Sequence, residues 1–166
     1  MKKNISILSI ISLAILLSGC GNKYKEVSKN EFSLQAPKNM QIITGDLFDG
    51  AEIEYENAES DYYLVVLKDS KEDYEGYQLS EYQEENVNFV LREGRKELKT
   101  KNEKINNLDA IITDAVTIDE DGETIWKVAL IETDTYFYTI WTWSGPVFIT
   151  ENMKIMENII HSFKLI

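Results

Sequence analysis

Residues 136–143, Tyr-Phe-Tyr-Thr-Ile-Trp-Thr-Trp, constrain the fold more than any other stretch. As a strand, they place Phe137, Thr139, Trp141 and Trp143 on one face and Tyr136, Tyr138, Ile140 and Thr142 on the other, because side chains alternate along a strand. Large side chains on both faces call for a cover on both faces, so a sheet built around this segment belongs in the middle of a layered domain.

The remaining patterns supply the layers. Residues 62–67 are continuously apolar and read as another strand buried on both faces. Residues 51–56 alternate, with Ile53 and Tyr55 opposite Glu52, Glu54 and Glu56, which is the mark of a strand with one wet face. Residues 110–118 and 124–131 form a predicted hairpin across Asp121-Gly122. Phe32-Ser33-Leu34 reads as a short strand stopped near Pro37.

A long helix is predicted over residues 80–98. Ser80 and Gln83 have capping-box spacing. Glu81, Glu84 and Glu85 lie near its start and Arg92, Arg95 and Lys96 near its end, as the helix dipole favours. Val87, Val90, Leu91, Gly94 and Leu98 would form its core stripe. A second helix, capped by Thr150, carries Ile149, Met153, Met156, Ile160 and Phe163 as an apolar stripe. The expected fold class is therefore α+β: an antiparallel β-sheet flanked by two amphipathic helices, an α/β/α sandwich.

The first 20 residues carry a different message. Lys2 and Lys3 precede an apolar run of 13 residues, 5–17, which is too short for a membrane span of about 20. This is the layout of an export signal. Leu17-Ser18-Gly19-Cys20 resembles the bacterial lipobox, in which the leader is cut before a cysteine that receives lipid. Cleavage between Gly19 and Cys20 would leave acyl chains, palmitate among them, on the only cysteine in the sequence. The domain map that follows is a leader at 1–19, a lipidated Cys20 with a short polar tether to residue 30, and one globular domain at 31–166. The chain is expected to be exported and anchored at the outer face of a cell membrane, or at the outer membrane in a two-membrane cell.

Charge limits the partners. Seventeen Lys and Arg against 29 Asp and Glu give a formal charge of −12. The leader holds two lysines and no acid, so its removal takes the charge to −14. Phosphate backbones and anionic lipid surfaces repel such a chain, so nucleic acid is not an expected partner and the membrane is expected to be held through the lipid on Cys20. With Cys20 lipidated, no disulfide within the chain is possible.

Four stretches carry a resemblance to the PsbP-like family: Phe32-Ser33-Leu34 leading to Pro37, Leu108-Asp109-Ala110, Tyr136-Phe137-Tyr138, and Ile159-Ile160-His161-Ser162-Phe163. The resemblance spans most of residues 31–166. It implies an α/β/α sandwich and a binding or assembly-accessory role, with no shared catalytic motif to carry over.

Candidate chemistry is sparse. His161 is the only histidine, and Ser144 and Ser162 are the nominal nucleophiles for it. No G-x-S-x-G elbow is present, and Ser162 as an immediate helical neighbour points away. Residues 119–123, Asp-Glu-Asp-Gly-Glu, suggest a calcium loop, but Thr117 and Val128 fall where its first and last oxygen ligands belong, so a hairpin turn is expected. No metal and no cofactor are expected. Glu52, Glu54 and Glu56, with Asp69, Glu72, Asp73 and Glu75, form acidic stretches that would suit a basic protein partner or simply stay wet. Trp126, Trp141 and Trp143 are the candidate ligand-binding residues, either an aromatic platform or core packing, with Trp143 foremost because it adjoins the break at Gly145-Pro146. The expected function is a lipid-anchored, non-enzymatic envelope lipoprotein with a binding or assembly-accessory role, whose sheet edge or acidic face would bind another envelope protein. The alternatives are a small-ligand-binding lipoprotein using an aromatic-lined pocket and a carboxylate-based hydrolase.

Overall fold

Alternation along the strands sets the architecture. The computed structural model describes residues 23–45 and 47–166. Cys20 and the leader, with the cleavage at Gly19, lie outside the described residues. The strands are β1 (Tyr24–Lys29), β2 (Phe32–Pro37), β3 (Gln41–Ile42), β4 (Ile53–Asn57), β5 (Tyr62–Ser70), β6 (Arg95–Ile105), β7 (Leu108–Asp119), β8 (Gly122–Glu132), β9 (Tyr136–Ser144) and β10 (Lys164–Leu165). The helices are α1 (Leu79–Gln83) and α2 (Ile149–His161). A seven-stranded antiparallel sheet runs β3-β4-β5-β9-β8-β7-β6, and a three-stranded sheet runs β1-β2-β10.

β9 lies in the middle of the large sheet, between β5 and β8. One of its faces, with Tyr138 and Ile140, joins Leu64, Val66, Ile112 and Ile131 in the main core. That core is closed by Phe32 and Leu34 of the small sheet and by Met156, Ile159 and Ile160 of α2, with Phe163 just beyond it. The other face, with Phe137 and Trp141, packs under the helical stretch that begins with α1. The three-layer α+β arrangement expected from residues 136–143 is thus present.

Three elements differ from expectation. First, the tether gives way at Tyr24 to β1, which pairs with β2 along its whole length. Nothing in its polar sequence signals this, because the pairing is made by the backbone at a sheet edge. Second, the helix predicted over 80–98 ends early. α1 is capped by Gln78 and Glu81, not by Ser80 and Gln83. It widens into a π-helical turn at Glu84–Asn88 and tightens into a 3-10 turn at Val90–Arg92. Gly94 then takes a φ of 64°, and a Cβ there would run into the Ile118 carbonyl oxygen. The chain turns at this point into β6, an edge strand that pairs with β7. Third, α2 begins after a turn at Pro146–Phe148, with Phe148 rather than Thr150 at its cap position.

Candidate interaction surface

Three aromatic side chains stand directly opposite one another on adjacent strands. Tyr63 of β5 faces Trp143 of β9, and Trp143 faces Trp126 of β8. The ring centroids of Tyr63 and Trp143 are 4.9 Å apart with planes only 9° from parallel. Trp143 and Trp126 are 5.1 Å apart and tilted by 31°. All three are partly exposed.

One row further into the sheet, Trp141 is 1 % exposed and its indole N–H has no hydrogen-bond partner. It packs against Val65, Val128, Val87 and Leu91 and belongs to the core. Phe48 lies beside it, stacked at 5.6 Å on Trp141 and 6.2 Å from Trp143. The loop that brings Phe48 there is fixed by Glu54, whose carboxylate accepts the backbone N–H groups of Leu47 (2.9 Å) and Phe48 (2.8 Å). The Trp126 indole donates to the Thr117 hydroxyl at 2.8 Å, which holds the outer end of the strip.

This geometry decides what the strip can bind. A sugar or a base binds an aromatic platform through the ring faces. Here Tyr63 and Trp143 turn their faces toward each other, so the strip presents ring edges. Two cavities, of about 770 and 530 Å³, lie elsewhere, and neither is lined by a tryptophan. Carboxylates border the strip instead. Glu56 of β4 faces Tyr63 across the strand pair. Burial, and then the negative charges of Asp61 and Glu56, push the Tyr63 hydroxyl above its ordinary value. Apolar edges with an acidic rim suit a segment that is itself apolar and basic.

Of the residues singled out in the sequence, Trp126, Trp141 and Trp143 do converge, with Trp141 underneath. Tyr63 and Phe48 complete the cluster. Alternation within residues 62–67 could have put Tyr63 on the Val65 face, but not opposite Trp143. Phe48 sits in a loop without any periodic signal.

The other candidates are engaged in structural contacts. His161 Nδ1 lies 2.8 Å from the Glu157 carbonyl, and Nε2 lies 2.9 Å from the Glu103 carboxylate. Burial alone would raise the Glu103 carboxyl, but Lys101 and the His161 ring outweigh it and hold it below the usual range. Ser162 accepts from the Gln35 N–H and donates to the Ile159 carbonyl. Ser144 accepts from the Asn152 amide and donates to the Gly145 carbonyl. At the hairpin, Asp119 accepts the backbone N–H groups of Asp121 and Gly122, as expected of a turn. Among the described residues no group of three or more metal-ligating side chains comes together. Of the acidic stretches, Asp69 accepts the Tyr82 hydroxyl, and Glu54 holds the Phe48 loop.

No protein-family model and no curated protein sequence matches the chain. Solved structures do match. CyanoP, the cyanobacterial PsbP of Synechocystis, has a TM-score of 0.64 at 10 % identity over 89 % of this chain and 96 % of that one. The Ran-binding protein Mog1p of Saccharomyces cerevisiae has a TM-score of 0.62 at 11 % identity over 87 % and 96 %. LpqN of Mycobacterium tuberculosis, a protein involved in cell envelope biogenesis, has a TM-score of 0.55 at 8 % identity over 87 % and 92 %. At these identities the likeness is one of fold. The chain has the PsbP/Mog1-like α+β fold.

Proposed function

We propose that this chain is a lipid-anchored accessory protein of a bacterial envelope, without catalytic activity of its own, that binds another envelope protein through the Tyr63–Trp143–Trp126 strip. The observation that carries the reading is the strip: three partly exposed aromatic residues in register, presenting edges rather than faces, with carboxylates beside them. Its partner segment is apolar and basic. The lipobox-like Leu17-Ser18-Gly19-Cys20 supports the anchor, and the fold likeness to a Ran-binding protein and to an envelope-biogenesis protein supports a binding role. The structural engagement of His161, Ser144 and Ser162 favours binding over catalysis.

Crosslinking in intact cells, followed by capture of the chain from membranes, tests the reading. The wild-type chain should retain a specific envelope protein that a Tyr63→Ala/Trp143→Ala variant loses. Equal capture by both chains would sink the proposal. Cys20→Ala should move the folded protein out of the membrane fraction.

A further inference from the structure

The described chain begins at one pole of the domain, and that pole carries both unpaired positive charge and exposed apolar side chains. Lys23 lines the cavity of about 770 Å³ together with Lys38, Lys154, Asn39, Asn158 and Glu151. None of the three lysines makes an ion pair among the described residues, whereas Lys68, Lys71, Lys101 and Lys127 are each neutralised by a carboxylate. In a chain of net charge −12, three unpaired lysines around one concavity form a local reversal of sign.

The same pole holds the turn Pro146–Phe148. Gly145 N–H donates to Asp61, and the Asn152 amide donates to the Ser60 carbonyl and the Ser144 hydroxyl. Ser60 and Asn152 also line the lysine cavity, so the turn and the cavity share one end of the molecule. On this braced turn, Val147 is 82 % exposed and Phe148 40 % exposed. Covalent geometry supplies the link to the anchor. Cys20 and Lys23 are three residues apart, so their Cα atoms can be separated by at most about 11 Å.

We infer that this pole is a bilayer-docking surface: the Lys23–Lys38–Lys154 cavity takes a phospholipid headgroup phosphate, and Val147 and Phe148 enter the boundary between headgroups and acyl chains. The inference rests on the lipid anchor proposed above. It also fixes the orientation of the domain. The acids Asp119, Glu120 and Asp121 lie at the β7–β8 tip, toward the far edge of the large sheet. Their repulsion by headgroup phosphate tilts the β1–α2 side toward the bilayer. The opposite end, with the turn at Lys71–Tyr74, faces away from it.

The test uses the full lipidated chain in vesicles of phosphatidylglycerol and phosphatidylethanolamine doped with a photoactivatable phosphatidylglycerol. Crosslinked peptides are mapped by mass spectrometry. Crosslinks are expected on the peptides that hold Lys38 and Val147–Phe148. A Lys23→Gln/Lys38→Gln/Lys154→Gln variant and a Val147→Ser/Phe148→Ser variant should each lower them about tenfold, because each removes one part of the contact. Both variants should still float with vesicles and melt as the wild type does. Lys29→Gln, at the other end of β1, should change nothing. Crosslinks concentrated on residues 71–77 and 133–135 would overturn the docking surface. So would their erasure by excess glycerol 3-phosphate, which would make the cavity a site for soluble phosphate. A wild-type chain that fails to float with vesicles overturns the anchor itself. Flotation without these crosslinks overturns the docking surface alone.

Discussion

The two faces of the large sheet are built from the same kinds of residue but are closed differently. On one, Tyr138, Ile140, Leu64 and Ile131 meet a complete lid made of the small sheet and α2. On the other, Phe137 and Trp141 meet a helical stretch that stops at Arg92. That stretch covers Trp141 through Val87 and Leu91, and the chain runs on to Gly94, whose carbonyl accepts the Ile118 N–H, before entering β6 at the far edge, so Tyr63 and Trp143 on β5 and β9 stay partly exposed. Trp141 is therefore core, while Trp143, two residues further along the same strand, reaches the surface. The difference teaches that an alternating aromatic strand specifies a face but not how far the face is covered. The path of the neighbouring element across the sheet decides that, and the binding surface proposed for this chain lies on the strands it does not cross.

This contrast can be broken by substitution. Phe163 is fully buried against Phe32 and Tyr138, with ring centroids 5.6 and 5.1 Å away. Phe163→Ala should cost about 3–5 kcal/mol in urea unfolding, the usual range for a buried aromatic. A loss under about 1 kcal/mol would mean that the closed face is not sealed. Gly94→Ala attacks the point where the second lid ends. It places a Cβ against the Ile118 carbonyl at a positive φ and should cost about 2 kcal/mol or more. An unchanged melting point would show that the turn into β6 is not so constrained. Trp143→Ala, on the open face, should cost only about 1–2 kcal/mol, because part of its surface is already wet. It should nevertheless lose partner capture. A stability cost equal to that of Phe163→Ala would make Trp143 a core residue and remove the contrast.

Sequence patterns foretold the closed face better than the open one. The strands at 62–67, 110–118, 124–131 and 136–143 were legible because burial on one or both faces writes itself into alternation, and Asp121-Gly122 marked their hairpin. β6 was not legible. It is an edge strand rich in Lys and Glu with little buried surface, so its composition favours a helix while pairing to β7 makes it a strand. The error over 80–98 has the same source: Val87 and Leu91 do point into the core, but Leu98 belongs to the next element. For the site, Trp126 and Trp143 could be nominated from alternation alone. Tyr63 could not be set against Trp143, because cross-strand register is a property of the assembled sheet.

The mildest test compares a tyrosine of the closed face with one of the second lid. Burial pushes the Tyr138 hydroxyl on the closed face up to about 12, with a smaller opposing effect from the Lys68 charge and a smaller supporting one from Glu31. Tyr82, in the second lid, is raised by burial first and then by its hydrogen bond to Asp69. A folded-state value above the unfolded one means that the native fold favours the neutral phenol. The stability this confers is complete below the unfolded tyrosine value of about 10 and is lost as pH rises through the folded values. Unfolding midpoints should therefore stay level through neutral pH and fall in alkali. Tyr138→Phe and Tyr82→Phe should each make that fall shallower. Tyr82→Phe should also cost about 1 kcal/mol at neutral pH, since it removes the bond to Asp69. The tyrosinate absorbance lost in Tyr82→Phe reports where Tyr82 ionises in the folded chain. Ionisation near 10 would mean that water reaches Tyr82, so that the second lid is open along its whole length and the exposed row extends beneath it. Ionisation well above that value confines the open region to the Tyr63–Trp143–Trp126 strip.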